Sequence, residues 1–156
     1  MVAATRINHV SIVADSLDES ARFYEQLFGL ERLPTATFPD PVLWLRLGEQ
    51  QLHLFESDED VPTPRQHVSF DVADFDAVYA KAKELGILDA QTFGSPLRSH
   101  PAGWVQLYLR DPAGNLVEVD WPDVSTLSEA TRADVFPLES TVEQTGDAAR
   151  ASLFTA

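Results

Sequence analysis

Few side chains in this chain have chemistry to offer. It holds four histidines and no cysteine, so thiol chemistry and a disulfide framework are excluded. Two of the histidines open the same tripeptide, His-Val-Ser, at residues 9–11 and 67–69. In both copies an aspartate follows nine residues later, Asp18 and Asp76. When Gly48 before "EQQLHL" is aligned with Gly114 before "NLVEV", His53 falls within one residue of the place that Glu118 takes. A repeated imidazole, with an imidazole and a carboxylate at matched places, is half a metal site supplied twice. Neutral imidazoles and a carboxylate suit Fe(II), Zn, Ni or Mn. A lone strand histidine has a plain structural alternative, and the duplication is what argues against it here. Glu118 stands between Val117 and Val119. A buried, unpaired carboxylate is costly, so its expected neighbour is a cation, with an ion pair to Arg46 or Arg110 as the alternative.

The elements that must carry these residues repeat as well. Residues 7–13 read as a strand, and "SLDESARFYEQLFG" as a helix. Ser16 followed by Glu19 is a capping-box pattern. Leu17, Tyr24, Leu27 and Phe28 offer an apolar stripe, and Gly29 supplies a stop. Strands follow at about 31–38, 42–47 and 50–56. The acidic, proline-bearing "SDEDVPTPR" at 57–65 reads as a linker. The order then recurs 58 residues on: strand 67–72, helix 74–85 ending at Gly86, a strand near 90–94, and strands 104–110 and 115–121. "DPAG" at 111–114 is a tight turn. The expected fold is therefore α+β, with two tandem βαβββ modules, 6–56 and 66–121, forming a cup-shaped mixed β-sheet with helices on its outer face. Residues 122–156 lie outside both copies and read as an arm packed on the body or on a partner subunit.

Side chains alternate between the two faces of a strand. Leu43, Leu45 and Leu47 oppose Trp44 and Arg46. Val68, Phe70 and Val72 oppose His67, Ser69 and Asp71. Val105, Leu107 and Leu109 oppose Trp104, Gln106, Tyr108 and Arg110. Each strand has an aliphatic face for the helices to cover. The other face gathers histidines and large aromatics, which suits a partly enclosed concave surface. Trp44, Phe55 and Trp104 are candidates for lining a substrate pocket, with core filling as the alternative. Arg46 and Arg110 are candidates for holding a substrate carboxylate, with surface salt bridges as the alternative. His100 falls on a loop.

Composition narrows the function. The formal net charge is −14, from 11 basic and 25 acidic residues. Such a field repels nucleic acid, and no apolar run approaches the roughly 18 residues of a membrane span. No nucleophile motif, phosphate loop or dinucleotide fingerprint is present. The N-terminal residues lack the apolar core of a signal peptide. A cytoplasmic enzyme with a small-molecule substrate is the expectation.

The segments "INHVSIVADSLDESARFYEQLFGLE", "QHVSFDVADFDAV" and "LYLRDPAGNLVEV" resemble the vicinal oxygen chelate superfamily, which includes glyoxalase I, extradiol dioxygenases, fosfomycin-resistance enzymes and bleomycin-resistance proteins. The resemblance covers roughly residues 6–121, taking residues 1–121 as the domain. It implies that His9, His67 and Glu118 are metal ligands for one divalent ion, that the protein is a homodimer, and that the metal chelates adjacent oxygens of a small substrate. In glyoxalase-like members the position of His53 carries Glu or Gln, so a histidine there departs from that pattern. It reads either as a fourth ligand or as an acid/base group titrating near neutrality. Extradiol dioxygenases place a tyrosine ten residues before the ligand glutamate, as Tyr108 stands before Glu118. The resemblance therefore implies an extradiol-type dioxygenase assisted by His53 and Tyr108. Its rivals are a glyoxalase-like lyase or isomerase and a metal-free, drug-sequestering protein of the bleomycin-resistance type.

Overall fold

A computed structural model of the chain describes residues 8–35, 41–57 and 65–153. The first module reads β1 (His9–Ala14), α1 (Leu17–Phe28), β2 (Glu31–Leu33), β3 (Val42–Leu47) and β4 (Gln50–Glu56). The second reads β5 (His67–Asp71), α2 (Phe75–Leu85), β6 (Leu97–Ser99), β7 (Val105–Arg110) and β8 (Leu116–Trp121). The α+β class and the twice-repeated strand–helix–three-strand order match the expectation. Most of the 57–65 linker, and the end of the strand expected over 31–38, fall outside the described residues.

The helix ends follow the local chemistry. Ser16 caps α1 by accepting from the Glu19 amide through its Oγ, and Gly29 closes the helix in the left-handed conformation, at φ 67°. Asp74 caps α2 through the Ala77 amide, and Gly86 ends it in the same way. The buried stripe of α1 is Ser20, Ala21 and Tyr24. Leu17, Leu27 and Phe28 lie only half-buried beside it.

The chain divides into two compact units. Unit 1 comprises residues 1–66 together with Asp111–Asn115; unit 2 comprises His67–Arg110 and residues 116–156. In unit 1 four strands run in the order β1-β4-β3-β2. β1 is parallel to β4, and the other pairs are antiparallel. Helix α1 packs on β3 and β4, and Ala21, Tyr24, Leu45, Leu52 and Leu54 are buried. The tight turn at 111–114 belongs to this unit. Tyr24 Oη donates to Asp111 Oδ2 at 2.9 Å, and Asn115 Nδ2 donates to the Val13 carbonyl at 2.7 Å.

Unit 2 has five strands in the order β5-β8-β7-β6-β9, where β9 is Phe136–Pro137. The aliphatic faces of β5, β7 and β8 are buried as the alternation requires: Val68, Phe70, Leu107, Leu109, Val117 and Val119. Phe75, Val78, Tyr79 and Ala82 of α2 are buried with them.

The strand expected near 90–94 is not formed. Asp89 Oδ1 accepts from the amides of Gln91 and Thr92, which turns the chain, and the second strand of the module begins only at Leu97. An aspartate bonding its own downstream amides competes directly with a strand ladder.

The arm is partly structured. After β8 come a 3₁₀ turn at Val124–Thr126 and helix α3 (Glu129–Ala133). Then β9 adds in parallel to the edge of β6. The arm is tied to α2 by Asp76, which accepts from Ser128 Oγ at 2.8 Å and Thr131 Oγ1 at 2.5 Å. Asp134 likewise accepts from Tyr79 Oη and Lys83 Nζ. Among the described residues no helix is long and apolar enough to cross a membrane.

Candidate functional site

Register carries the candidate residues to one face in each unit. In unit 1 His53 of β4 pairs across with Ser11 on one side and Trp44 on the other, and His9 lies two pairs along, opposite Gln51. The rings of His9 and His53 stack with centroids 4.2 Å apart. Trp44 stacks on His53 at 4.8 Å. His53 is 9% exposed. Burial, with the neighbouring His9 ring as the lesser cause, lowers its pKa below the ordinary histidine value. His53 Nε2 lies 2.8 Å from Gln51 Oε1. An amide oxygen can only accept, so Nε2 carries the proton and Nδ1 keeps the lone pair. His9 Nδ1 lies 3.0 Å from Asn8 Oδ1, and by the same reasoning its Nε2 is the nitrogen available to a ligand.

In unit 2, His67, Ser69 and Asp71 of β5 share a face with Glu118 and Asp120 of β8, and Tyr108 and Gln106 of β7 extend it. His67 Nε2 stands 3.5 Å from Glu118 Oε2, and the glutamate side chain is 5% exposed. Asp120 is also buried. Its Oδ2 accepts from Ser69 Oγ, while its Oδ1 is buried with no hydrogen-bond partner. Burial raises the Asp120 carboxyl to about 7, and the Glu118 charge adds to this against the Ser69 bond. Burial, followed by the charge of Glu118, pushes the Tyr108 hydroxyl far above its ordinary value, so it remains a hydrogen-bond donor at any physiological pH. A cavity of about 350 Å³ is lined by His67, Ser69, Asp71, Glu118, Asp120 and Leu153.

The donor chemistry of this face fits a cation. Glu118, a buried carboxylate, stands against the His67 imidazole nitrogen, and Asp120, two residues further along the same strand, leaves one buried oxygen without a hydrogen-bond partner; a cation would compensate a carboxylate buried in this way. The structure therefore brings together His9, His53 and Trp44 in one unit, and His67, Glu118 and Tyr108 in the other. Among the described residues, no three His, Cys, Asp or Glu side chains form a group that could hold a metal ion.

The remaining candidates are placed as follows. Arg46 is exposed on β3, opposite Gln51 and Glu31. Phe55 is 37% exposed on β4. Arg110 is engaged by Asp89, with Nε to Oδ2 at 2.5 Å, and donates to Thr92 Oγ1. This is the ion-pair role weighed for it against substrate binding. The Trp104 indole N–H donates to the Ala151 carbonyl at 2.8 Å, and its ring stacks with His100 at 3.4 Å. Sequence reasoning put Ser69, Asp71 and Asp120 on the correct face but did not single them out; Asp120, two residues beyond Glu118, carried a signal in the alternation. Leu153 carried none.

Comparison with known proteins places the whole. A plant protein, "Glyoxylase I 4" of Arabidopsis thaliana, is 27% identical over 126 residues, spanning 74% of this chain and 70% of that protein. The crystal structure of lactoylglutathione lyase from Agrobacterium tumefaciens superposes with a TM-score of 0.57 at 29% identity, covering 76% of this chain and 94% of that one. The genomically encoded fosfomycin resistance protein FosX of Listeria monocytogenes, at 16% identity, shares the fold with a TM-score of 0.63 over 83% of this chain and 99% of that one. The family model described as Glyoxalase/Bleomycin resistance protein/Dioxygenase superfamily matches residues 6–119, the span of both repeats, and the chain is a member of that superfamily.

Proposed function

We propose that this protein is a metal-dependent enzyme acting on a small substrate that presents two adjacent oxygens. The observation that carries the reading is the buried Glu118 carboxylate 3.5 Å from His67 Nε2, on a face where Asp120 leaves an oxygen unsatisfied. His67 and Glu118 are two of the ligands. The third is His9, presented by this chain or by a second copy in a homodimer. A divalent ion held there would supply Lewis-acid stabilisation of negative charge on the substrate oxygens.

The chain's own groups supply the rest. His53, its pKa lowered by burial, is neutral at pH 7 and accepts a proton at Nδ1. Tyr108 holds its proton and donates a hydrogen bond toward developing charge beside Glu118. Trp44, stacked on His53, fixes the imidazole plane and offers an aromatic wall. A proton acceptor, a protonated phenol and an aromatic wall support an extradiol-type dioxygenase using Fe(II). A second reading, proton transfer next to a chelated carbonyl with Zn, Ni or Mn, is favoured by the glyoxalase-type names of the plant and Agrobacterium relatives. His53 is again the base.

The test is metal analysis of protein purified without chelator, followed by two assays. Oxygen uptake with catechol supports the dioxygenase. Anaerobic turnover of the methylglyoxal–glutathione hemithioacetal supports the glyoxalase type. Protein that takes up none of the four metals, and gains no thermal stability from them, overturns both readings in favour of a sequestering role.

A further inference from the structure

The polar face of unit 2 continues past its carboxylates. The register sets Asp71 of β5 opposite Asp120 of β8, Asp120 opposite Gln106 of β7, and Gln106 opposite Arg98 of β6. Residues paired across neighbouring strands point to the same side, so Arg98 shares the face of His67, Glu118 and Tyr108. Strands stand about 4.8 Å apart, which puts the backbone at Arg98 roughly 10 Å from β8, a gap that its long side chain shortens. Its charge is felt on this face. Burial lowers the His100 pKa and the Arg98 charge lowers it further, against the Gln106 bond. At Tyr108, where burial and the Glu118 charge push the hydroxyl up, Arg98 acts in the opposite direction.

Arg98 stands apart from the other cations of the chain. Among the described residues only Arg98 and Arg110 are half-buried basic side chains; the rest are exposed. Arg110 is paired with Asp89. Arg98 forms no ion pair among the described residues, and its Nε is buried with no hydrogen-bond partner. Carboxylates are plentiful in a chain with 25 acidic and 11 basic residues, and the exposed Arg32 has two, Asp18 and Glu25. A guanidinium that has lost water at Nε without gaining an acceptor carries an uncompensated cost. Neither neighbouring strand supplies that acceptor. Phe136 of β9 lies opposite Arg98 on one side. On the other, Gln106 turns its Oε1 to His100 Nε2 at 2.8 Å.

We propose that Arg98 holds a carboxylate of the substrate, so that the substrates are small acids with two adjacent oxygens at one end and a carboxylate at the other. A guanidinium presents a planar fork of donors that a carboxylate fills with two parallel bonds. Of the two arginines expected to take this role, Arg110 is engaged by Asp89 and Arg46 is exposed on β3 of unit 1. The placing of the paired oxygens rests on the proposed function. The carboxylate site rests on Arg98 and its neighbours, with no metal in the argument.

The test compares two compounds that share adjacent hydroxyls and differ in the carboxylate, 3,4-dihydroxyphenylacetate and 4-methylcatechol. Their affinities for the full chain are measured by calorimetric titration, once in EDTA and once with Zn. The wild type should bind the acid about tenfold more tightly under both conditions, the factor that one charge-assisted hydrogen bond commands. Arg98→Gln should lose that preference while its affinity for 4-methylcatechol stays unchanged. Arg98→Lys, which keeps the charge but not the fork, should show a reduced preference. Equal wild-type affinities for the two compounds under both conditions, or no binding of the acid under either, overturn the proposal whether or not the variants fold. An undiminished preference in either variant that retains its fold overturns it as well, and leaves Arg98 the role of offsetting the charge of Glu118 and Asp120. The metal reading is decided separately: a gain in affinity for both compounds on adding Zn supports it, and no gain counts against the metal but not against Arg98.

Discussion

Asp120→Asn tests whether the polar face of unit 2 stores electrostatic cost in the absence of a cation. In the folded protein the Asp120 carboxyl is raised from 3.8 to about 7, mainly by burial and then by Glu118. That displacement corresponds to about 4 kcal/mol at full strength. Because the cavity is open to water we take roughly half, about 2 kcal/mol. The sign follows from which state holds the proton. Below about pH 4 Asp120 is protonated both folded and unfolded, and the wild type carries no penalty. As pH rises toward 7 the unfolded chain releases the proton before the folded one, so this contribution to stability is lost progressively and is fully gone above 7. Asparagine is never charged and its amide oxygen can still accept from Ser69. In EDTA the variant should therefore match the wild type near pH 4 and exceed it at pH 8. For a chain of this size about 2 kcal/mol appears as a rise in Tm of roughly 4–8 °C. The assay is a pair of thermal melts at the two pH values. An asparagine variant less stable than wild type at pH 8, or a difference independent of pH, would refute the reasoning.

Other outcomes follow from the same structure. His67→Ala should abolish metal retention, measured by elemental analysis after desalting, while the circular dichroism spectrum stays native; stoichiometric metal in that variant argues against His67 as a ligand. Tyr24→Phe leaves a buried Asp111 oxygen with one donor fewer and should cost about 1–3 kcal/mol in a urea titration, whereas no change would mean that the bond in unit 1 is dispensable. Asp76→Ala removes the acceptor that Ser128 and Thr131 share; amide exchange across residues 128–134 should then accelerate, with α2 itself unaffected.

Much of this architecture was legible because it rests on local rules. Ser16, Gly29 and Gly86 mark helix ends through caps that bond within one turn. The two-residue alternation of β5, β7 and β8 is dictated by burying valines and leucines on one face, and that put Tyr108 and Glu118 together on the opposite face; their direct pairing is a matter of register. The strand expected over 90–94 was misjudged because Asp89 bonds Gln91 and Thr92 and Arg110; the last is a pairing across 21 residues that no local pattern announces. The stack of His9 on His53 depends on parallel pairing of β1 with β4, which strand periodicity does not specify. The arm was hardest of all. Its anchors are single polar bonds from α2, such as Asp134 to Tyr79, and its approach to the pocket depends on one indole meeting one carbonyl. Contacts of that kind leave no periodic trace.

The Asp111–Asn115 turn lies in the middle of the second repeat by sequence but supplies the hydroxyl partner of Tyr24 and the amide partner of Val13. The chain thus leaves its second unit for five residues and returns. A fragment ending at Gln66 would lack that clasp and would bury a phenol without its acceptor. However clearly the sequence repeats, the earlier repeat completes its buried hydrogen bonding only with a turn that the later one supplies.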